Sequence, residues 1–198
     1  MKIAEITSAQ LNETGEIQGH IVSVRDLPKG RKLVVKDGSG HIPVILWDNV
    51  IEALSQVDQF RSGSQVSVRG RISEYKGELR LVPAKAADLQ LVAPADASTR
   101  KRTPLGSLAS VGTGNSAWVI GVIIGMEAFS KGVKLRIRDD SGEGVILLWQ
   151  NVYDSLPRQE SLAIDAEVGA YGEVNHFRDE WEIVPGSKTE VTLIEKAT

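Results

Sequence analysis

Apolar and polar residues alternate over short stretches in the first half of the chain, with the period of two that is typical of β-strands. Clusters of Pro, Gly, Asp and Ser separate these stretches and predict turns. The segment DNVIEALSQV instead places Val50 and Leu54 four residues apart, which predicts a short helix with one apolar face. The predicted strands cover residues 16–24, 31–36, 41–47, 64–72 and 79–83, with loops at 25–30, 37–40 and 73–78.

The second half of the chain repeats the first. A shift of 102 residues aligns SGHIPVILWDNV, which begins at Ser39, with SGEGVILLWQNV, which begins at Ser141. From residue 19 to residue 92 this alignment contains 20 identical residues in 74 positions and no gap. So long a repeat indicates one complete domain used twice, because a shorter repeat could not bury a core of its own. We predict units over residues 1–93 and 105–198, joined by a linker over residues 94–104.

The order of the predicted elements narrows the fold class. Five strands with one short helix between the third and the fourth is the order of an OB-fold, a small Greek-key barrel that commonly binds oligonucleotides or oligosaccharides. We therefore predict an all-β protein made of two tandem five-stranded OB-fold barrels, each with a short helix between strands three and four.

Composition excludes several classes of protein. Hydrophobic residues make up 41% of the 198 positions and charged residues 25%, which is ordinary for a globular protein. No apolar stretch approaches the roughly 20 residues needed to cross a bilayer, and the N-terminus lacks the apolar core of a secretion signal. The chain contains no cysteine, so there is neither a disulfide framework nor a thiolate metal site. We expect a cytoplasmic protein.

Charge is divided unevenly between the two halves. Residues 1–100 contain 13 Lys and Arg against 12 Asp and Glu, whereas residues 101–198 contain 10 against 14, for a net charge of −3 over the chain. A polyanionic partner would therefore have to recognise a local basic stripe and not a global field.

Strand alternation predicts where such a stripe lies. Because successive side chains point to opposite faces, Leu33 and Val35 on the second strand face the core, and Ile42, Val44 and Leu46 do so on the third. The outer row of the second strand is then Lys32, Val34 and Lys36 in the first unit and Lys134, Arg136 and Arg138 in the second. On the third strand the outer row is His41, Pro43, Ile45 and Trp47, with Trp149 equivalent to Trp47.

Cations interleaved with aromatic side chains are typical of surfaces that bind single-stranded nucleic acid, where cations contact phosphates and aromatic rings stack on bases. Trp47 and Trp149 could instead be packing residues, as large aromatic side chains usually are. Trp118 has no tryptophan at the equivalent position in the first unit, and we expect it to pack in a core or between domains.

The first unit is the more basic of the two. Arg25, Lys29 and Arg31 flank its first loop, where the second unit has only Lys131. Arg69, Arg71 and Arg80 also have non-basic equivalents, namely Tyr171, Glu173 and Glu182. We therefore expect the first unit to bind nucleic acid more strongly, and the second to bind weakly or to contact protein.

The turn sequence D-G/D-S-G, followed by a strand ending in Leu-Trp, a helix and a strand ending in Gly, resembles the nucleic-acid-binding OB-folds of the replication protein A and tRNA-anticodon-binding group. The resemblance covers both units. It implies that an aromatic residue seven positions after the turn glycine stacks on a base, which selects Trp47 and Trp149. It also implies a second stacking residue nine positions after the strand-four glycine, which selects Trp181, whereas the first unit departs from the pattern with Leu79. Tyr75 and Phe177, at the tips of the adjoining hairpins, are nearby substitutes.

No pattern in the sequence indicates catalysis. The three histidines, His20, His41 and His176, do not have metal-ligand spacing, and the segment GTGNS lacks the lysine of a phosphate-binding loop. Asp37 and Ser39 are explained by turn chemistry, in which Asp and Ser side chains bond to nearby backbone groups. We expect no catalytic residues, no metal site and no cofactor.

The sequence therefore predicts a protein that binds single-stranded nucleic acid without catalysis, and the resemblance favours DNA over RNA. The alternative is a protein-interaction or scaffold module in which the same face contacts a partner or a second copy, since the outward apolar residues Ile45 and Leu147 could form an exposed patch. The candidate nucleic-acid-binding residues are Trp47, Trp149, Trp181, Tyr75, Phe177, Lys29, Arg31, Lys32, Lys36, Lys134, Arg136, Arg138 and Arg71.

Overall fold

The computed structural model describes residues 1–96 and 100–194. The chain divides into two compact units, Met1–Ala97 and Ser98–Thr198. Among the described residues no helix is long and apolar enough to cross a membrane.

The first unit is built on a six-stranded sheet. Its strands are β1 (Thr14–Leu27), β2 (Gly30–Lys36), β3 (His41–Trp47), β4 (Gln65–Tyr75), β5 (Glu78–Val82) and β6 (Leu89–Ala93), and α1 (Asp48–Glu52) follows β3. The order β1-β2-β3-β5-β4-β6, with an additional pairing of β1 to β4, closes the first five strands into a ring and leaves β6 beside β4. Short 3-10 helices cover Ile3–Glu5, Ser8–Gln10, Val57–Gln59 and Ala86–Asp88.

The second unit repeats this topology. Its strands are β7 (Ser116–Phe129), β8 (Gly132–Asp139), β9 (Gly142–Trp149), β10 (Glu167–Phe177), β11 (Glu180–Val184) and β12 (Val191–Ile194), in the order β11-β9-β8-β7-β10-β12 with β11 also paired to β10. The helices are α2 (Leu108–Val111) and α3 (Gln150–Ser155), with 3-10 helices at Leu105–Ser107, Gln159–Ser161 and Lys188–Glu190. The predicted fold class, two tandem OB-folds with a short helix after the third strand, is confirmed.

Two details differ from the prediction. The predicted loop at 25–30 is largely strand, because β1 continues to Leu27 and pairs across a tight hairpin with β2, which begins at Gly30. Each unit also has a sixth strand, β6 or β12, paired with the long fourth strand at the edge of the sheet. Both strands are short and partly polar, so the alternation of apolar and polar residues that would predict them is weak.

The cores lie inside the two rings and follow the predicted alternation. Leu33, Val35 and Val44 are fully buried in the first unit, and Leu135 and Ile137 are buried in the second. Hydrophobic burial of such rows is the main favourable term in the stability of a small domain.

Repeated glycines mark the places where backbones approach closely. A Cβ atom on Gly19 would overlap the carbonyl oxygen of Lys36, and one on Gly121 would lie 2.9 Å from that of Arg138. Gly70 and Gly172 are similarly confined by the ends of β5 and β11. The spacing between the paired strands therefore requires glycine at these positions.

Candidate nucleic-acid interface

The turn between β2 and β3 fixes the hairpin that carries the predicted surface. Asp37 Oδ1 accepts hydrogen bonds from the Ser39 hydroxyl and backbone N–H, both at 2.6 Å, and from Gly40 N at 2.9 Å, while Oδ2 accepts one from Ile3 N at 2.9 Å. The Ser39 hydroxyl and these backbone groups hold the pKa of Asp37 well below its usual range. Asp139 makes the same turn with Ser141, as the repeat predicted. The carboxylates of Asp37 and Asp139 therefore have a structural role in these turns.

Trp47 and Trp149 end the outer rows of β3 and β9. Their side chains are 41% and 42% exposed, so neither is core filling. Trp47 lies opposite Gly30, and Trp149 lies opposite Gly132, beside the β1–β2 and β7–β8 hairpins. Phe129 contacts Trp149 edge to face, with 6.1 Å between ring centroids. Each unit thus presents one indole ring to solvent at the same place.

The tips of the β4–β5 and β10–β11 hairpins carry the predicted aromatic substitutes. Tyr75 is exposed, with Arg80 4.9 Å from the centre of its ring. Phe177 is also exposed, and Lys134 Nζ lies 5.3 Å from its centre. In both units a cation therefore lies beside the aromatic ring at the hairpin tip.

Trp181 has a different environment. It packs against the core of the second unit and is only partly exposed, and the ring of His176 lies 4.5 Å from it. By alternation it faces the same side of β11 as the buried Ile183. Trp181 therefore does not belong to the exposed aromatic surface, and its stacking role stays a prediction.

Basic residues of the first unit remain open to solvent. Lys29, Lys36 and Arg71 are exposed, and within residues 1–96 and 100–194 none of them has an ion-pair partner. Lys32 pairs with Glu78 at 3.1 Å, with both side chains partly exposed. His20 and His41, on the flanking strands, lie directly opposite Lys36, so polar side chains form a row across three strands.

Arg31 differs from the prediction that it belongs to the exposed basic loop. It is buried, and its Nε donates to Asp26 at 2.7 Å. The alternation that turns Leu33 and Val35 inward turns Arg31 to the same side. Arg31 is therefore a buried structural residue of the β1–β2 hairpin.

Cations on the outer row of the second unit are all paired. Lys134 Nζ donates to Glu182 at 2.7 Å, Arg138 donates to Glu143 at 2.7 Å, and Arg136 forms a short ion pair with Glu180. The predicted basic row of β8 is present, but its charge is neutralised within the unit.

The outward apolar residues do not form an exposed patch, contrary to the expectation for Ile45 and Leu147. Ile45 is 4% exposed and Leu147 is 6% exposed. Lys32 lies opposite Ile45, and Lys134 lies opposite Leu147; each lysine also forms an ion pair with a glutamate of β5 or β11. These long side chains cover the apolar residues beneath them, with their aliphatic stems on apolar surface and their charges outward.

The ends of the predicted linker are fastened to the adjoining units, while residues 97–99 lie outside the described residues. Ala95 is buried, and its N–H donates to Ser64 Oγ at 3.0 Å. Arg100 lies between the rings of Trp118 and Tyr171, 5.5 and 4.8 Å from their centres, and pairs with buried Glu190 at 3.4 Å. Trp118 is buried, in agreement with its predicted packing role.

Comparison with known proteins supports the fold. Residues 16–95 match a family model of the tRNA-anticodon type, an OB-fold nucleic acid binding domain. A replication protein A heterotrimer bound to ssDNA has a TM-score of 0.58 and 12% identity over 98% of this chain, which spans 51% of that chain. The p204 HINb domain has a TM-score of 0.49 and 12% identity, covering 90% of this chain and 95% of its own. Asparaginyl-tRNA synthetase from Pyrococcus horikoshii has a TM-score of 0.39 and 16% identity, covering 48% of this chain and 23% of its own.

No curated protein matches the chain. The family model and the heterotrimer confirm the resemblance to the replication protein A and anticodon-type OB-folds.

Sequence reasoning missed the carboxylates that pair with the β8 cations. A signal for them was present: Glu180 and Glu182 alternate along β11 as Lys134 and Arg136 do along β8, two strands away in the sheet. Applying strand alternation to the fifth strand as well as to the second would have placed both rows on one face.

Proposed function

We propose that the chain binds single-stranded nucleic acid, DNA in preference to RNA, and that it does so without catalysing a reaction. The first unit supplies the principal surface, made of Lys29, Lys32, Lys36, Trp47 and Tyr75, which we call the first-unit face. Arg71 on β4 extends its positive charge.

The observation that carries this proposal is an exposed tryptophan on an OB-fold hairpin whose lysines Lys29 and Lys36 form no ion pair with any described residue. Lys29 lies one residue before Gly30, the partner of Trp47, and Lys36 lies at the opposite end of β2. In the free protein, an exposed indole leaves apolar surface in contact with water, which is unfavourable. Stacking on a base would remove that surface from water. Lysines at both ends of the strand can neutralise successive phosphates.

The match of residues 16–95 to a nucleic-acid-binding OB-fold model supports the same unit. The preference for DNA is supported by likeness to the replication protein A heterotrimer, whose structure contains ssDNA. We infer the absence of catalysis from the composition of the face, which combines aromatic rings and cations as binding surfaces do.

Anisotropy of labelled dT and rU oligomers and of a duplex, titrated with the full chain, tests the proposal. Trp47→Ala should weaken binding to single strands by about 5- to 150-fold, from about 1–3 kcal/mol per stacked base. Thermal unfolding should be almost unchanged, because the side chain is half exposed. If the wild type binds no oligomer at low salt, or binds the duplex as tightly as dT, the proposal is wrong.

The rival function, a protein-interaction or scaffold module, loses part of its support because Ile45 and Leu147 are covered. Sedimentation over a concentration range without nucleic acid distinguishes the two functions. Self-association that Trp47→Asp abolishes would favour the rival.

A further inference from the structure

The second unit carries a cationic row like that of the first, but each cation is already bound to a carboxylate. Lys134 and Glu182 are 23% and 5% exposed at the side chain, so this pair is largely withdrawn from water. Arg136 with Glu180 and Arg138 with Glu143 complete the set. We call these three ion pairs the second-unit clasp.

The clasp crosses the sheet. Lys134 and Arg136 lie on β8, Glu180 and Glu182 lie on β11, and β9 runs between them. Glu182 is the partner of Val145 in the β9–β11 ladder, while Lys134 is the partner of Leu147 on the other side. Glu180 and Glu182 thus reach Arg136 and Lys134 across β9, the strand that ends in Trp149.

Among its described residues, the first unit lacks all three pairs. At the positions of Glu182 and Glu143 it has Arg80 and His41, and at the position of Arg136 it has Val34. Arg80 Nε donates to Ser73 and its guanidinium lies over Tyr75, so a cation stands where the second unit has a carboxylate. Lys32 pairs instead with Glu78, which is equivalent to Glu180, and this pair is more exposed than Lys134–Glu182.

We propose that Glu143, Glu180 and Glu182 determine which unit binds the nucleic acid. A phosphate and a carboxylate compete for the same donors on Lys and Arg, so the clasp carboxylates occupy the second unit's phosphate-binding groups. A strand entering there would have to displace three intramolecular partners, and a cation that is already paired adds little to counterion release. The strand therefore binds the first-unit face, and the second unit acts only when its carboxylates are neutralised.

This inference rests on the proposed function, and the two can be tested separately in the full chain. A labelled dT oligomer is titrated with the wild type, with Trp47→Ala/Lys36→Ala, and with the same variant carrying Glu180→Gln/Glu182→Gln. Trp47→Ala/Lys36→Ala should remove most binding of the dT oligomer. Adding Glu180→Gln/Glu182→Gln should raise the affinity of that variant by at least about tenfold. The log–log salt slope should become more negative by about 1.4, from about 0.7 for each freed cation.

Glu160→Gln/Asp165→Asn is the matched control. It also removes two negative charges, but from exposed positions between α3 and β10. It should raise the affinity for the dT oligomer less than twofold. A transplant tests the converse: Arg80→Glu gives the first unit the carboxylate of Glu182 and should weaken binding by more than Arg80→Gln does.

If the wild type binds and the first-unit changes abolish binding, but neither the glutamine pair nor its control restores it, the clasp inference is wrong and the proposed function stands. If the wild type does not bind, both are wrong. Should Glu182→Gln unfold the second unit, Glu180→Gln alone, at a partly exposed position, must still steepen the salt slope.

Discussion

Single glycines maintain the distance between strands in both units. In Gly19→Ala the new methyl group would overlap the carbonyl oxygen of Lys36, which is backbone and cannot rotate away. We expect the first unit to lose about 1–3 kcal/mol of stability, as overpacked sites do. Gly38→Ala is the control, because no atom lies within 4 Å of its Cβ position. Urea denaturation of the two variants checks the difference, and equal midpoints would contradict it.

Asp37 makes the stability of the first unit depend on pH. The Ser39 hydroxyl and the backbone N–H of Ile3 lower its pKa in the folded chain, so it contributes stability above the pKa of the unfolded carboxyl, about 4. That contribution is lost as pH falls below this value toward the folded pKa. Asp37→Asn should therefore be less stable than the wild type at pH 7, with the difference narrowing at pH 3. Calorimetry at both pH values measures it, and a constant difference would exclude this role.

The residue level also shows where prediction from sequence stops. Alternation placed Leu33, Val35 and Trp47 correctly, because each lies inside a regular strand. It was not applied to Arg31, although the predicted strand already included that residue and the same parity turns it inward. The ion pairs of Lys134 and Arg136 depend on side chains two strands away, which local pattern does not contain.

At the level of elements, Arg100 is one of the side chains, with Arg102, that attach residues 100–104 to the second unit. Arg100 stacks between Trp118 and Tyr171 and neutralises Glu190, which is almost fully buried. Arg100→Ala should destabilise the second unit by about 3 kcal/mol, because it removes a cation that pairs with a buried carboxylate. Lys101→Ala, at an exposed neighbouring position, should be neutral. Chemical denaturation followed by tryptophan fluorescence compares them, and similar losses would show that Arg100 is not an anchor.

Elements were predicted best where the repeat and the alternation agree. The first five strands and the helix after the third were found in both units, since each copy supports the other. The sixth strands were missed, and residues 25–30 were assigned to a loop because they contain Pro28 and Gly30. Arg25 and Asp26 nevertheless belong to the sheet through their pairing with Lys32 and Arg31, which depends on the neighbouring strand.

At the level of the whole molecule, one fold carries two different surfaces. The two halves differ in net charge but keep apolar residues at nearly all equivalent core positions, so the differences in charge lie outside the core. Fold therefore follows from the repeated core pattern, whereas function follows from the residues that the core does not constrain.

This separation predicts how binding responds to salt. The first unit offers four cations for phosphates. Lys29, Lys36 and Arg71 are exposed, and Lys32 is counted with them because its ion pair with Glu78 lies in solvent and is easily exchanged for a phosphate. Affinity for a dT oligomer should fall with a log–log salt slope near −3, from about −0.7 per neutralised phosphate. Lys36→Ala should make the slope less negative by about 0.7, whereas Arg138→Ala, in the clasp, should leave it unchanged. A flat salt response in the wild type would contradict the electrostatic part of the proposal. Equal effects of Lys36→Ala and Arg138→Ala would mean that both units bind nucleic acid, because each cation affects the slope only if it contacts a phosphate.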